Sequence, residues 1–323
     1  MKAIVSNEYG SPDALELQEI DTPVIGDDGV LVRVRAASVN PLDWHVMRGL
    51  PYLVRVTGGL RRPKRTVPGV DMAGHVEAVG RNVTWLRPGD EVFGCASGGA
   101  LAEYAAAGED ACVPKPVGLT LEQAAAIPIA GLTALQALRD QGQLQPGQRV
   151  LVNGAAGGVG TFAVQIAKAF GADVTGVCST RNVDRVRSIG ADQIVDYTAE
   201  DFTRQGQRYD LILCLAGNHS LSDLRRTLTP KGTLVLAGGG GDGRWLGPLA
   251  GFLKALVVSP FVGQRLLPFI AKLRKEDLVA LKDLIEAGKV TPVIDRTYPL
   301  SEAPEAIRYL EAGHAQGKVI ITV

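Results

Sequence analysis

Several features are missing from these 323 residues, and each absence narrows what the chain can be. Net charge is missing: 34 basic residues balance 34 acidic ones, with neither a basic stripe nor an acidic tail. No nucleic-acid partner is expected from such a balance. No signal-peptide apolar core is present, because Met1-Lys-Ala-Ile-Val enters a strand at once. No uninterrupted apolar run could span a bilayer: the longest, residues 245–271, is broken by Lys254, Pro260, Arg265 and Pro268. Cysteine is scarce, with four residues at 95, 112, 178 and 214, too scattered for a disulfide framework. Reduced thiols and a cytoplasmic setting are the expectation. No internal repeat or low-complexity stretch stands out.

What is present is ordinary in bulk, 46% hydrophobic and 21% charged, and long enough for two domains. Residues 1–120 read as β-rich, with strands expected at 2–6, 15–19, 30–38, 74–79, 91–94 and 102–106 and a short helix over 41–48 capped by Asn40. From about Thr120 the pattern changes to alternating strands and helices, with strands at 150–153, 174–178, 193–196, 211–215 and 233–237. Alternation of this kind predicts a parallel sheet with helices on both faces. The segment 269–323 changes style again: a helix over 275–287, a strand at 290–295, a helix over 301–312 opening on Ser301 and Glu302, and a closing strand at 318–323. That last strand is expected to rejoin the first domain. The organisation is therefore 1–120, 121–268 and 269–323, with the middle segment inserted.

The most informative stretch is Val-Leu-Val-Asn-Gly-Ala-Ala-Gly-Gly-Val-Gly over 150–160. Three apolar residues make a buried strand, a glycine-rich corner follows, and an apolar face then recurs at Val159, Phe162, Ile166 and Phe170. Strand, corner and helix aim unpaired N–H groups and a helix dipole at a phosphate. The strict G-x-G-x-x-G pattern is broken by Ala155, and a flexible loop can carry similar letters. Flanked by both expected elements, this corner is assigned to a dinucleotide. The next strand ends Cys178-Ser-Thr-Arg-Asn182, with no carboxylate to bind an unphosphorylated ribose and with Ser179 and Arg181 to take a 2′-phosphate. NADPH is the expected cofactor. The plain alternative is that Arg181 only begins the next helix on a solvated face.

The motifs Ser38-Val-Asn-Pro-Leu-Asp43, Pro68-Gly-Val-Asp-Met-Ala-Gly74, Pro88-Gly-Asp-Glu-Val-Phe-Gly94, Ile127-Pro-Ile-Ala-Gly-Leu-Thr-Ala134, Ala155-Ala-Gly-Gly-Val-Gly160, Gly190-Ala-Asp192 with Asp196-Tyr197, and Gly317-Lys-Val319 run the length of the chain. In that order they resemble the medium-chain dehydrogenase/reductase superfamily, in its zinc-free quinone oxidoreductase branch. The resemblance implies an α/β fold: a GroES-like β-rich catalytic domain plus a Rossmann doubly wound parallel-sheet domain. It also implies a homodimer. Where zinc enzymes of the superfamily carry a catalytic cysteine and Gly-His-Glu, this chain has Asn40 and Gly69-Val70-Asp71, and no metal is expected.

By the same resemblance, Ala156, Gly157, Gly158 and Val159 hold the pyrophosphate and Tyr197 flanks the adenosine phosphate. Leu215, Ala216, Ala237 and Gly238 line the ribose and nicotinamide. Thr133 touches the inner phosphate or nicotinamide, and Lys318 approaches from the closing strand. Asn40, in the position of the absent metal, holds the nicotinamide amide or ribose, or simply caps its helix. Tyr52 is the candidate proton donor or carbonyl clamp, or a pocket wall. Asp43 orients Asn40 or is purely structural, and His45 reads as a surface residue. Without a Lewis acid, hydride addition to a quinone or an α,β-unsaturated carbonyl is easier than alcohol oxidation. Two other functions stay open. One is an enoyl-thioester reductase, whose anionic substrate the basic loop Arg61-Arg-Pro-Lys-Arg65 would attract; the other is a non-catalytic NADPH-binding redox sensor. The apolar segment 245–271 is expected to cover the pocket, form a dimer contact or touch a membrane surface.

Overall fold

The computed structural model describes residues 1–217, 219–238 and 249–323. In chain order its strands and helices are β1 (Lys2–Val5), β2 (Glu16–Glu19), β3 (Gly29–Val39), α1 (Pro41–Arg48), α2 (Val54–Gly58), β4 (Asp71–Val79), β5 (Glu91–Cys95), β6 (Tyr104–Gly108), β7 (Cys112–Pro114), α3 (Leu121–Ala125) and α4 (Pro128–Gln136). There follow β8 (Arg149–Asn153), α5 (Gly158–Ala169), β9 (Asp173–Cys178), α6 (Val183–Ser188), β10 (Gln193–Asp196), β11 (Tyr209–Cys214), α7 (Leu221–Arg226), β12 (Leu228–Leu236), α8 (Leu249–Val258) and β13 (Arg265–Pro268). The chain ends with α9 (Lys275–Glu286), β14 (Ile294–Pro299), α10 (Ala303–Glu311) and β15 (Lys318–Thr322).

Two units result. The first takes residues 1–132, 273–288 and 292–323; the second takes 133–272 and 289–291. The break falls inside α4 rather than near residue 120, because α3 packs on the sheet strands β3 and β4 of the first unit. The closing strand does return: β15 pairs antiparallel with β3, and β14 lies parallel to β15 at the sheet edge. The first unit's sheet runs β14-β15-β3-β4-β5-β7, with β6 paired to β3. Its core is a layer of Val, Leu and Ile side chains with Met47 and Met72. These residues alternate along β3, where Val30, Val32 and Val34 are buried and Arg33 and Arg35 are exposed, as a half-covered antiparallel sheet requires.

The second unit is a six-stranded parallel sheet in the order β10-β9-β8-β11-β12-β13, the doubly wound arrangement. Val150, Leu151 and Val152 in the central strand are fully buried, as is the inward face of α5 at Phe162, Ala163 and Ile166. All of its strands point the same way. Their carboxyl ends, Asn153, Cys178, Asp196, Cys214 and Leu236, are therefore level with one another.

Some expectations need correction. The strand expected at 290–295 lies at Ile294–Pro299, because Pro292 lacks the ladder N–H and pairing begins beyond it. Helix α4 does not end cleanly at Gln136 but widens into a π turn at Ala137–Gln141. The closing helix α10 does not open on a Ser301 cap: its cap position is Glu302, which makes no side-chain cap bond. In the apolar segment 245–271, residues 245–248 lie outside the described residues. The rest is not one element but helix α8, a short turn and β13. Among the described residues no helix is long and apolar enough to cross a membrane.

Candidate active site

In the first unit three strand ends converge on one buried carboxylate. Ser38, near the end of β3, lies opposite Asp71, the first residue of β4. Val319 of β15 lies opposite Val39, which sets Lys318 beside Asn40 at the exit of β3. The Ser38 hydroxyl donates to Asp71 Oδ2 at 2.9 Å, and Asn40 Nδ2 donates to the same oxygen at 2.9 Å. Lys318 Nζ donates to Asn40 Oδ1 at 2.6 Å and to Asp71 Oδ2 at 3.2 Å. The Ile129 N–H closes the far side by donating to Asp71 Oδ1 at 3.0 Å. The side chains of Lys318 and Asp71 are 3% and 0% exposed. A buried charge of each sign is thus paired and its hydrogen-bonding capacity used, the condition under which burial is tolerated.

Asp43 extends this cluster. As the third residue of α1 it accepts the N–H of Asn40 at 2.7 Å, the carboxylate half of a capping box. Burial, reinforced by the Asp71 charge, pushes its carboxyl up to about 7 against the pull of the Asn40 N–H. Asp43 also lines a cavity of about 110 Å³ with Leu42, Val46, Met47, Pro68 and Gly69, at whose rim Arg65 stands. Tyr52 lies outside the bonded cluster; its ring faces the Arg55 guanidinium at 4.9 Å. His45 is not the solvated surface residue expected. Its Nδ1 is 3.0 Å from the Leu50 carbonyl, its ring stacks on Trp44, and burial holds its pKa down.

In the second unit the glycine corner has the geometry that a phosphate needs. Gly154 takes φ of +96°, a conformation that favours glycine. Gly157 is the cap residue of α5 and brings no side chain to its first N–H groups, which leaves them for an anion. A Cβ on Gly160 would lie 2.1 Å from the Gly154 carbonyl oxygen, so only glycine lets α5 close on the strand. The departure at Ala155 has a local cause: its buried methyl packs where Gly176 leaves room, 3.1 Å from where a Cβ at 176 would stand. The later strand ends interlock. Asn153 Nδ2 and Cys214 Sγ both donate to the Ala216 carbonyl, at 3.1 Å each, and the N–H groups of Ala237 and Gly238 donate to the Cys214 carbonyl. Residues 156–159, 215–216 and 237–238 therefore lie at the carboxyl end of one sheet, and these residues fit the dinucleotide. Thr133, 8% exposed, is the first residue of this unit.

At the ends of β9 and β10, Ser179 and Arg181 lie in the turn that follows β9, and the Tyr197 N–H donates to the Cys178 carbonyl at 3.0 Å. One residue escaped the sequence reading. Asp196, opposite Cys178 in register, is a carboxylate at this end. Its Oδ1 accepts the N–H and hydroxyl of Thr198, at 2.9 and 2.7 Å, and hydrogen bonds from Thr180 and Thr198 hold it below the usual carboxylate range. The Asp-Tyr pair following Gly190-Ala-Asp192 was visible; that the strand beside β9 delivers it here was not.

Gly160→Ala tests the corner. Forcing a methyl against the Gly154 carbonyl is expected to cost about 1–3 kcal/mol of stability and to weaken NADPH binding at least about tenfold, read by urea unfolding and fluorescence titration. Unchanged affinity would remove the corner from the cofactor site.

With the geometry in place, comparison with known proteins adds the following. The family described as alcohol dehydrogenase GroES-like domain matches residues 26–117, and that described as zinc-binding dehydrogenase matches residues 189–321. A chloroplast envelope quinone oxidoreductase homolog of Arabidopsis thaliana is 34% identical over 99% of this chain and 98% of its own. The chloroplastic NADPH-dependent alkenal/one oxidoreductase of the same plant is 34% identical over 99% of this chain and 79% of its own. The solved quinone oxidoreductase of Coxiella burnetii superposes with a TM-score of 0.87, at 31% identity, over 100% of this chain and 99% of that one. One family description names zinc, and the residues here do not fit it. Asn40 and Asp71 are bonded to an ammonium group, Val70 offers no ligand, and among the described residues no group of three or more His, Cys, Asp or Glu is placed to hold a metal.

Proposed function

This chain belongs to the medium-chain dehydrogenase/reductase family, an oxidoreductase whose relatives are quinone oxidoreductases and alkenal/one reductases, and from that premise we propose that it reduces quinones or α,β-unsaturated carbonyls with NADPH and without a metal. The observation that carries the reading is the Lys318–Asp71–Asn40 cluster, where a buried ammonium occupies the hydrogen-bonding positions a divalent cation would need. Bound NADPH supplies the hydride. The protein's part is to hold, orient and exclude water. The Gly154–Gly160 corner takes the pyrophosphate, held by Ala156, Gly157, Gly158 and Val159, with the Gly157 N–H turned inward to the Gly154 carbonyl. Leu215, Ala216, Ala237 and Gly238 line the nicotinamide half, with Thr133. Asn40, its carbonyl tied to Lys318, holds the nicotinamide amide or ribose. Asp43 holds the Asn40 backbone, and Tyr52 is the donor or clamp for the acceptor's oxygen.

Ser179 and Arg181 choose NADPH over NADH. Arg181→Ala is expected to lower the ratio of NADPH to NADH affinity about 10-fold to 100-fold, the loss of one charge-assisted phosphate contact. An unchanged ratio in parallel titrations would refute the phosphate assignment. The reaction itself is tested by following NADPH absorbance with a panel of quinones, 2-alkenals and crotonyl thioesters. Turnover of the first two supports the reading. Turnover of the thioester alone selects the enoyl-thioester reductase, for which Arg65 at the cavity rim is the relevant feature. Tight NADPH binding with no turnover of any acceptor selects the sensor.

A cytoplasmic homodimer completes the proposal. All four cysteines are buried free thiols. Helix α8 and the turn after it expose Leu253, Leu256, Val257 and Phe261, a stripe at helical spacing suited to a second subunit. Light scattering on the purified chain decides the stoichiometry, and vesicle sedimentation separates it from a membrane-surface role.

A further inference from the structure

The adenosine end of the second unit holds a buried side chain that neither the glycine corner nor the Ser179–Arg181 assignment uses. Asn182 ends the short turn Thr180–Asn182 and occupies the cap position of α6, yet its side chain makes no cap bond. It is 6% exposed, and its amide turns back instead: Nδ2 donates to Ser179 Oγ at 3.1 Å. Its Oδ1 is buried with no hydrogen-bond partner among the described residues. Folds rarely keep an orphaned acceptor of this kind, because a small local change usually satisfies it. Here the orphan is a consequence of aiming the N–H end of the amide at Ser179.

A serine hydroxyl has one hydrogen to donate and lone pairs to accept with. With the Asn182 N–H spent on its oxygen, the Ser179 hydrogen is directed elsewhere and the hydroxyl acts as a donor. The neighbouring hydroxyls are engaged with other partners. Thr180 Oγ1 and Thr198 Oγ1 are 2.8 Å apart, and the Asp196 carboxylate is occupied by the N–H and hydroxyl of Thr198. A phosphate ester only accepts hydrogen bonds at its ionised oxygens, whereas a ribose hydroxyl can serve as either partner. A hydroxyl fixed as donor therefore discriminates between them.

We propose that Asn182 is a positioning residue that fixes Ser179 as a hydrogen-bond donor to the 2′-phosphate of the nucleotide, and so sets the preference for phosphorylated ribose. This rests on the NADPH reading of the second unit. The test is calorimetric binding of adenosine 2′,5′-bisphosphate and of adenosine 5′-monophosphate to the full chain, for wild type, Ser179→Ala, Asn182→Ala, Asn182→Asp and the Ser179→Ala/Asn182→Ala double variant. Thermal midpoints establish that each is folded.

Wild type is expected to favour the bisphosphate, and Asn182→Ala to reduce that preference about fivefold to tenfold, the size of one hydrogen bond. Asn182→Asp has the same shape but can only accept, so it draws the Ser179 hydrogen inward and lowers the preference further. The double variant should match Ser179→Ala alone, because Asn182 acts through that hydroxyl. Wild-type preference retained in both Asn182 variants while Ser179→Ala loses it, or additive losses in the double variant, would overturn this proposal and leave the NADPH reading standing. A wild type with no preference between the two nucleotides would overturn both.

Discussion

Lys318→Met is expected to lower the free energy of unfolding by about 3–5 kcal/mol, the cost of leaving one member of a buried pair without its partner. Asp71 would keep the bonds from Ser38, Asn40 and Ile129 but lose the only cation bonded to it among the described residues, at a site where its side chain is fully buried. The double variant Lys318→Met/Asp71→Asn should recover most of that loss, since a neutral amide needs no counter-charge. Urea unfolding of wild type and the two variants measures this. A loss below about 1 kcal/mol, as for a surface ion pair, would mean that the cluster does not organise the first unit. The same variants report on function. If Lys318 holds Asn40 in place, Lys318→Met should impair turnover even where the folded fraction is complete.

The second large effect is a pH dependence. Asp43 titrates near 7 in the folded protein against 3.8 as an ordinary aspartate, chiefly because it is buried. Between those values the folded protein holds a proton that the unfolded chain has released. Stability from this group is therefore full below about pH 4, falls as pH rises, and is lost above about pH 7. The rise from 3.8 to about 7 corresponds to about 4 kcal/mol. Asp43→Asn does not titrate and should lack this slope. The difference between its unfolding free energy and that of wild type should thus change by about 3 kcal/mol, in the variant's favour, between pH 4.5 and pH 8. Comparing the two curves removes the opposite trends of Asp13, Asp192 and Asp201, whose pKa values are lowered. Parallel curves would contradict the placement of Asp43 in a dry environment.

Most of the fold was readable because its signals are local. The corner at Gly154–Gly160, the apolar face of α5 and the 121–268 alternation each lie within a dozen or so residues of their own elements, and periodicity reports such distances well. Strand β13 was not readable. Its Arg265-Leu-Leu-Pro268 is short, ends in proline and hides in an apolar segment, and only pairing with β12 makes it a strand. The cluster was half readable. Asn40, Asp43 and Lys318 could be singled out one by one, but the centre of their bonding is Asp71, whose partners Ser38, Asn40 and Lys318 are 33, 31 and 247 residues away. Nothing in the letters around Gly69-Val-Asp71 announces that a lysine on the last strand will neutralise it. Asp196 was missed for a related reason. A ribose-binding carboxylate is expected at the end of β9, while parallel pairing sets the end of β10 beside it.

Where zinc enzymes of the superfamily would carry a cysteine, this chain has Asn40, whose amide oxygen accepts from Lys318 Nζ; where a ribose-binding acid is expected, it has a serine and an arginine, with the nearby Asp196 bonded by Thr198. On the proposed function, the first suits acceptors whose charge spreads by conjugation and the second a nucleotide that carries an extra phosphate.

The most direct measurement of this account is NADPH oxidation with a quinone and a 2-alkenal, run on protein assayed for zinc by elemental analysis and incubated with a strong chelator. The account predicts turnover of both acceptors, no stoichiometric zinc, and rates unaffected by the chelator. Stoichiometric zinc together with activity abolished by chelation and restored by the metal would contradict it.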